Sequence, residues 1–345
     1  MVKRSPGRTV AKVAGLGHDV DQVAAESGFS GVVRVDEGGE VLLARAYGLA
    51  HRGLRVPNEV DTRFAIASGA KGLTAMAVVS LIEEGRLELD TPARTLLGDD
   101  LPLIGADVTV EHLLAHRSGI GDYLDEETAG AITDHVMPVP VHRLDTTEQF
   151  LTVLDGYPTV FPAGERFAYC NGGFVVLALL AERASGTPFH DLVRQRVFDP
   201  AAMHRTGFLR SDEPDEGVAL GYLEADGLRT NVLHLPVRGN GDGGAYATVA
   251  DIHSLWDAFF GGRVVPNHWV AEMVRPRSDV PDESMRYGLG FWLHPTTDAV
   301  ALVGYDAGVS FRTVHKPSQA RTFTVISNFS DGAWPLARAL YGSLA

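Results

Sequence analysis

Ser68 and Lys71 stand three positions apart in the run Ser68-Gly-Ala-Lys71. On a helix, positions i and i+3 share a face, so this hydroxyl and amine can touch. A serine hydroxyl is a poor nucleophile until a base removes its proton. The neighbours Phe64, Ile66, Leu73 and Met76 are apolar, and an apolar setting discourages a lysine from carrying charge, which frees its amine to act as that base. A helix starting here would also turn backbone N–H groups toward developing negative charge. The same spacing suits an N-cap serine followed by a solvated lysine, so the pair needs partners elsewhere in the chain.

Tyr169-Cys170-Asn171 offers them. In an extended or turning segment, residues i and i+2 project to one side, which brings a phenol and an amide toward the same cleft. A tyrosine beside an ammonium ionises more readily and can serve as a general base. The Asn171 amide could hold the lysine or a substrate carbonyl. A structural reading makes Asn171 the N-cap of an apolar helix beginning near Phe174, with Tyr169 in the core, and the two readings are compatible. Cys170 is the one cysteine, so an internal disulfide is excluded. Its expected direction is into the core, away from its neighbours.

The elements that position these residues can be read coarsely. Residues 1 to about 19 look like a loose basic arm. Two strands flank a glycine turn in Gly31–Asp36 and Glu40–Ala46. Leu73, Met76, Ala77, Ser80 and Leu81 have helical spacing from Gly69 to about Glu84, closed by Gly85. A helix is expected from Val110 to Gly119, another from Phe174 to Gly186, a third around Ala250–Phe260 and a last one from Trp334 to about Leu344. Strand-like segments lie near Gly288–Leu293, Ala299–Gly304 and Arg321–Ser327. The fold class is therefore α+β: an antiparallel sheet built from both termini and flanked by helices, with a mostly helical subdomain beside it. The whole chain reads as one catalytic unit, with 20–88 and 240–345 forming the α/β part and 89–239 the helical part. The cleft between the two parts is the expected place for a site.

Composition narrows the partners. A net charge of −14 over 345 residues repels phosphate backbones and anionic lipid, so neither nucleic acid nor a membrane surface is expected. The basic residues near the start are followed by Gly15, Gly17, His18 and Asp19 rather than an apolar core, so a secretory signal is not expected and the cytoplasm is the default reading. His112 and His116 have a spacing that can bind zinc, but Leu113 stands where the metalloprotease signature needs Glu. No metal and no cofactor are expected. No G-x-S-x-G pentapeptide occurs.

Longer stretches carry a resemblance. Thr62-Arg-Phe-Ala-Ile-Ala-Ser68-Gly-Ala-Lys71, Val108-Thr-Val-Glu-His-Leu-Leu-Ala-His-Arg-Ser-Gly119, Phe161-Pro-Ala-Gly-Glu-Arg-Phe-Ala-Tyr169-Cys-Asn171, Phe198-Asp-Pro-Ala-Ala-Met203 and Gly243-Gly-Ala-Tyr-Ala-Thr-Val-Ala-Asp251 follow one another in order. Together they resemble the serine β-lactamase and penicillin-binding protein superfamily, in its class C-like branch of β-lactamase-like esterases and D-amino-acid peptidases. The S-x-x-K pair is one of that superfamily's catalytic signatures. The resemblance implies that Ser68 is the nucleophile, that Lys71 and Tyr169 share the proton transfers, and that Asn171 orients lysine or substrate. It also implies an oxyanion hole made of two backbone N–H groups. One is that of Ser68; the other follows the glycine of a third motif, here Leu302-Val-Gly304-Tyr305-Asp-Ala-Gly308. The family's cation in that motif is replaced by Leu302. With no cation to meet a substrate carboxylate, a small neutral ester is the favoured substrate. An amide, a D-amino-acid peptide or a poorly used β-lactam is the alternative, and a catalytically silent ligand- or partner-binding relative is the reading from another class. Tyr123, Tyr222 and Trp292 are candidate pocket aromatics. Oligomeric state is not legible.

Overall fold

Valine, isoleucine and phenylalanine alternate along both ends of the chain, and the two ends meet in one sheet. The structure is a computed structural model that describes residues 6–124, 130–213 and 215–342. Its principal strands are β1 (Gly31–Glu37), β2 (Glu40–Tyr47), β3 (Ser278–Val280), β4 (Met285–Tyr287), β5 (Trp292–Leu293), β6 (Val300–Asp306), β7 (Val309–Lys316) and β8 (Arg321–Ser327). They pair antiparallel in the order β2-β1-β8-β7-β6-β5-β4-β3. The first and last strands of the chain sit side by side, with Val33 opposite Val325 and Val35 opposite Phe323.

The principal helices are α1 (Pro6–Ser27), α2 (Ala70–Glu83), α3 (Asn171–Ser185), α4 (Val249–Phe260) and α5 (Trp334–Gly342). Because strand side chains alternate, the sheet feeds two cores. Val33, Val35, Val314, Phe323 and Val325 meet Val20 and Ala24 of α1 and Leu336 and Leu340 of α5. Val32, Leu302, Phe311 and Ile326 face the opposite way, toward α2, α3 and α4. Every residue of α2 from Ala70 to Val79 is buried. A helix enclosed on all sides is a central one, and it carries Lys71 in its first turn.

Four expectations change. The first residues do not form a loose arm: α1 runs from Pro6, because Leu16, Val20, Val23 and Ala24 make an apolar stripe that covers the sheet. Gly288–Leu293 is not one strand, since the chain turns through a Gly288 N–H to Phe291 carbonyl bond of 2.9 Å between β4 and β5. Strand β7 escaped the reading because Arg312, Thr313 and His315 break its apolar pattern. Thr313 is nevertheless fully buried, accepting from Trp256 Nε1 at 2.9 Å and pairing with Thr324 Oγ1 at 2.7 Å. The helix from Val110 ends at Leu114, and His116 turns the chain at φ 54°. The last two residues of the expected final helix, 343 and 344, lie outside the described residues. Among the described residues no helix is long and apolar enough to cross a membrane.

Candidate active site

The turn before α2 presents Ser68. Ala67 sits at φ 44°, a left-handed conformation that costs a non-glycine residue about 1–3 kcal/mol. Two backbone bonds hold it there: Ile66 N–H to Ala245 carbonyl and Gly69 N–H to Ile66 carbonyl, each 2.9 Å. Ser68 is half-buried and faces a cleft.

Lys71 lies directly beneath, only 2% exposed. Its Nζ is 3.0 Å from Ser68 Oγ, 2.7 Å from Asn171 Oδ1 and 2.7 Å from the Asp242 carbonyl oxygen. The last two oxygens can only accept. A neutral amine has two N–H bonds and one lone pair, and in the arrangement where these two acceptors take the N–H bonds the lone pair faces Ser68. In that state the serine O–H donates to Nζ; after transfer, the third N–H of the ammonium points back at Oγ. The contact is a line along which one proton can move.

Tyr169 and Asn171 come to the same place. Nζ stands 4.9 Å from the Tyr169 ring centroid. The ring stacks on Trp292 at an interplanar angle of 15° and packs against His116 with centroids 4.3 Å apart. His116 Nδ1 accepts the Cys170 N–H at 3.0 Å, which pins the backbone between Tyr169 and Asn171. Burial, and then the nearby Lys71 charge, hold the His116 imidazole well below its ordinary range, so it stays neutral. Asn171 is not the helix N-cap. Cys170 is, its Sγ accepting the Gly173 N–H at 3.3 Å, and burial pushes its thiol well above the usual range. Asn171 opens α3 instead, its Oδ1 accepting from Lys71 Nζ and its Nδ2 donating to the Leu124 carbonyl.

Strand β6 closes the other side. A Cβ on Gly304 would lie 2.1 Å from the Ile66 carbonyl oxygen, so only glycine lets the strand pass under the turn that carries Ser68. Tyr305 and Asp306 line the cleft. Leu302 is 2% exposed and packs on α2, where its Cδ2 would be 2.5 Å from a Cβ on Gly72. A lysine at 302 would thus bury its ammonium against the helix. The other basic side chains of this region lie elsewhere: Arg312 stacks over Tyr341 at 4.7 Å, and His315, its pKa lowered to about 4 by burial, stacks on Trp256 and Phe260.

The cleft opens to solvent and, with that open solvent included, spans about 880 Å³. Its walls include Tyr123, Leu209, Leu235, Val237, Tyr246 and the carboxylates Asp242 and Asp306. The described residues that line it include no lysine or arginine. Of the candidate aromatics, Tyr123 lines the wall and Trp292 supports Tyr169. Tyr222 does not belong to the site: it is 2% exposed, and its hydroxyl accepts the Arg52 N–H at 2.7 Å. His112 belongs to a capping box with Thr109, and its side chain and that of His116 face different partners.

Sequence reasoning missed Asp122 and Asp242. The Asp122 carboxylate accepts the N–H groups of Asn171 and Gly172 at the start of α3. Burial pushes its pKa up to about 6 against the pull of those bonds. Asp242 sits in the run Gly239-Asn-Gly-Asp-Gly-Gly244, where Gly241 passes so close to α3 that a Cβ would be 2.1 Å from the Phe174 carbonyl oxygen. That glycine run was the available signal, since it marks a backbone pressed against something.

A family model described as Beta-lactamase matches residues 18–342. The chain belongs to the beta-lactamase family. Among solved structures, a penicillin binding protein from Bacillus halodurans superposes with a TM-score of 0.88 at 35% identity, covering 94% of this chain and 99% of that one. Esterase EstB of Burkholderia gladioli is 36% identical over 203 residues, 56% of this chain and 51% of its own. A D-aminopeptidase of Brucella anthropi is 29% identical over 321 residues, 90% of this chain and 58% of its own. The chain spans 51–63% of the length of these and other similar curated relatives. The antiparallel sheet with flanking helices is the family's fold, as expected from the sequence.

Proposed function

We propose that this beta-lactamase-family protein is a serine hydrolase that forms an acyl-Ser68 intermediate and acts as a carboxylesterase on small neutral esters. The observation that carries the reading is a Ser68–Lys71 contact of 3.0 Å at the floor of a cleft whose described walls hold no lysine or arginine. Ser68 Oγ attacks the acyl carbon as its proton passes to Lys71 Nζ. Tyr169, packed against the lysine, relays a proton to the leaving alcohol. The backbone N–H groups of Ser68 and Tyr305 are assigned to the oxyanion. Water then enters by the reverse proton path and releases the acid, leaving Ser68 as it began.

Substrate class follows from charge. A carboxylate-bearing β-lactam wants a cation, and a charge-assisted hydrogen bond to one is worth roughly 1.5–3 kcal/mol. Nothing among the described lining residues supplies a permanent one. An amide or aminopeptidase reading is favoured by one observation, the Asp242 and Asp306 carboxylates in the wall, which suit a substrate ammonium. The test is a panel of neutral esters, D-aminoacyl amides and a chromogenic cephalosporin, with Ser68→Ala as control. Neutral esters are expected to lead by kcat/KM. Faster turnover of the amides, or of the cephalosporin, would replace this reading.

A further inference from the structure

We propose that Asp122, Tyr123 and Leu124 form a positioning clamp that aims the Lys71 lone pair at Ser68. The inference rests on the reading of Ser68 and Lys71 as nucleophile and base. Besides Ser68 Oγ, Lys71 Nζ is held by two oxygens at 2.7 Å, Asn171 Oδ1 and the Asp242 carbonyl, and N–H bonds given to both turn the lone pair toward Ser68. Three consecutive residues of one loop hold both. The Asp122 carboxylate accepts the backbone N–H of Asn171 and, at 2.8 Å, that of Gly172. The Leu124 carbonyl accepts Asn171 Nδ2 at 3.1 Å, which leaves Oδ1 facing the lysine. The Tyr123 hydroxyl donates to the Asp242 carboxylate, on the residue whose backbone oxygen receives the second lysine N–H.

Each link is well kept. Burial, and next the Asp242 charge, push the Tyr123 phenol well above its usual range, so it remains a donor. The ionised Asp122 carboxylate accepts both N–H groups more strongly than its protonated form does. Among the described residues, the titratable groups facing it are Lys71, Cys170 and Tyr123. Supporting residues of this kind act through the groups they hold, and losing one typically lowers activity about 10–100-fold.

The experiment compares Tyr123→Phe and Asp122→Asn with wild type on a neutral activated ester. Tyr123→Phe keeps the ring in the wall and removes only the hydroxyl. Asp122→Asn offers one acceptor oxygen where two N–H groups need partners. Each is expected to lower kcat by roughly 10–100-fold with KM within about threefold, the mark of an interaction that acts on the chemical step. The rate of fluorophosphonate labelling should fall in parallel. Wild-type kcat should also fall as pH drops through about 6, where Asp122 gains its proton, and the part of the acid limb centred there should be missing from Asp122→Asn. If Asp122→Asn fails to fold, Tyr123→Phe decides alone. Wild-type kcat in the folded variants would overturn the clamp. So would a loss carried entirely by KM, which would make these groups substrate contacts. Ester hydrolysis surviving in Ser68→Ala would instead overturn the reading of Ser68 on which the clamp rests.

Discussion

The oxygens of Ser68, Asn171 and Asp242 around Lys71 Nζ are a hydroxyl, an amide and a backbone carbonyl. None of these three oxygens carries formal charge, so each orients the amine through a hydrogen bond to a neutral group. Lys71→Ala and Tyr169→Phe should each lower kcat on a short-chain activated ester by roughly 10²–10⁴. Because the two act on one proton, the double variant should be little worse than either single one. Steady-state kinetics on the three proteins checks this, and near-wild-type turnover by Tyr169→Phe would mean that another base operates. Ser68, Lys71, Tyr169 and Asn171 were legible because each pair lies within three residues, where helix or strand periodicity says which side chains share a face. Asp122 and Asp242 were not. Asp122 reaches Asn171 across 49 positions of chain, and Asp242 contributes a backbone oxygen, a group every residue carries.

At the scale of elements, the site depends on how closely β6 and α3 approach the nucleophile turn. Gly304→Ala places a methyl group against the Ile66 carbonyl. Such overpacking costs about 1–3 kcal/mol, and here it pushes directly on the turn that carries Ser68. The variant should melt at lower temperature and lose kcat, with little change in the far-ultraviolet circular dichroism. A protein with wild-type melting and kinetics would show that β6 does not set the nucleophile's position. The elements that are mainly apolar, β1, α2 and α4, could be read from the sequence. Strand β7 could not, because a central strand that satisfies Thr313 through Trp256 has no need to look apolar. The start of α3 was also obscured, since Cys170 is a less familiar cap than Ser, Asn or Asp.

The whole molecule carries a net charge of −14, and the cleft adds Asp242 and Asp306 to its walls. Both repel an anionic substrate, the first at long range and the second at contact. Of two matched activated esters, one neutral and one bearing a distal carboxylate, the anionic one should have a kcat/KM lower by about tenfold or more. Added salt should narrow the gap, since the screening length is about 8 Å at 0.15 M ionic strength and shorter above it. Equal turnover of the two would place a cation in the cleft. All of these expectations presuppose that Ser68 is the acylated residue, which a single measurement tests most directly. The protein is treated with a fluorophosphonate probe and the adduct is located by tandem mass spectrometry, alongside Ser68→Ala. One adduct, on Ser68, with neither labelling nor ester hydrolysis in the variant, is the expected result. An adduct on a different residue, or labelling and turnover that persist in Ser68→Ala, would contradict it.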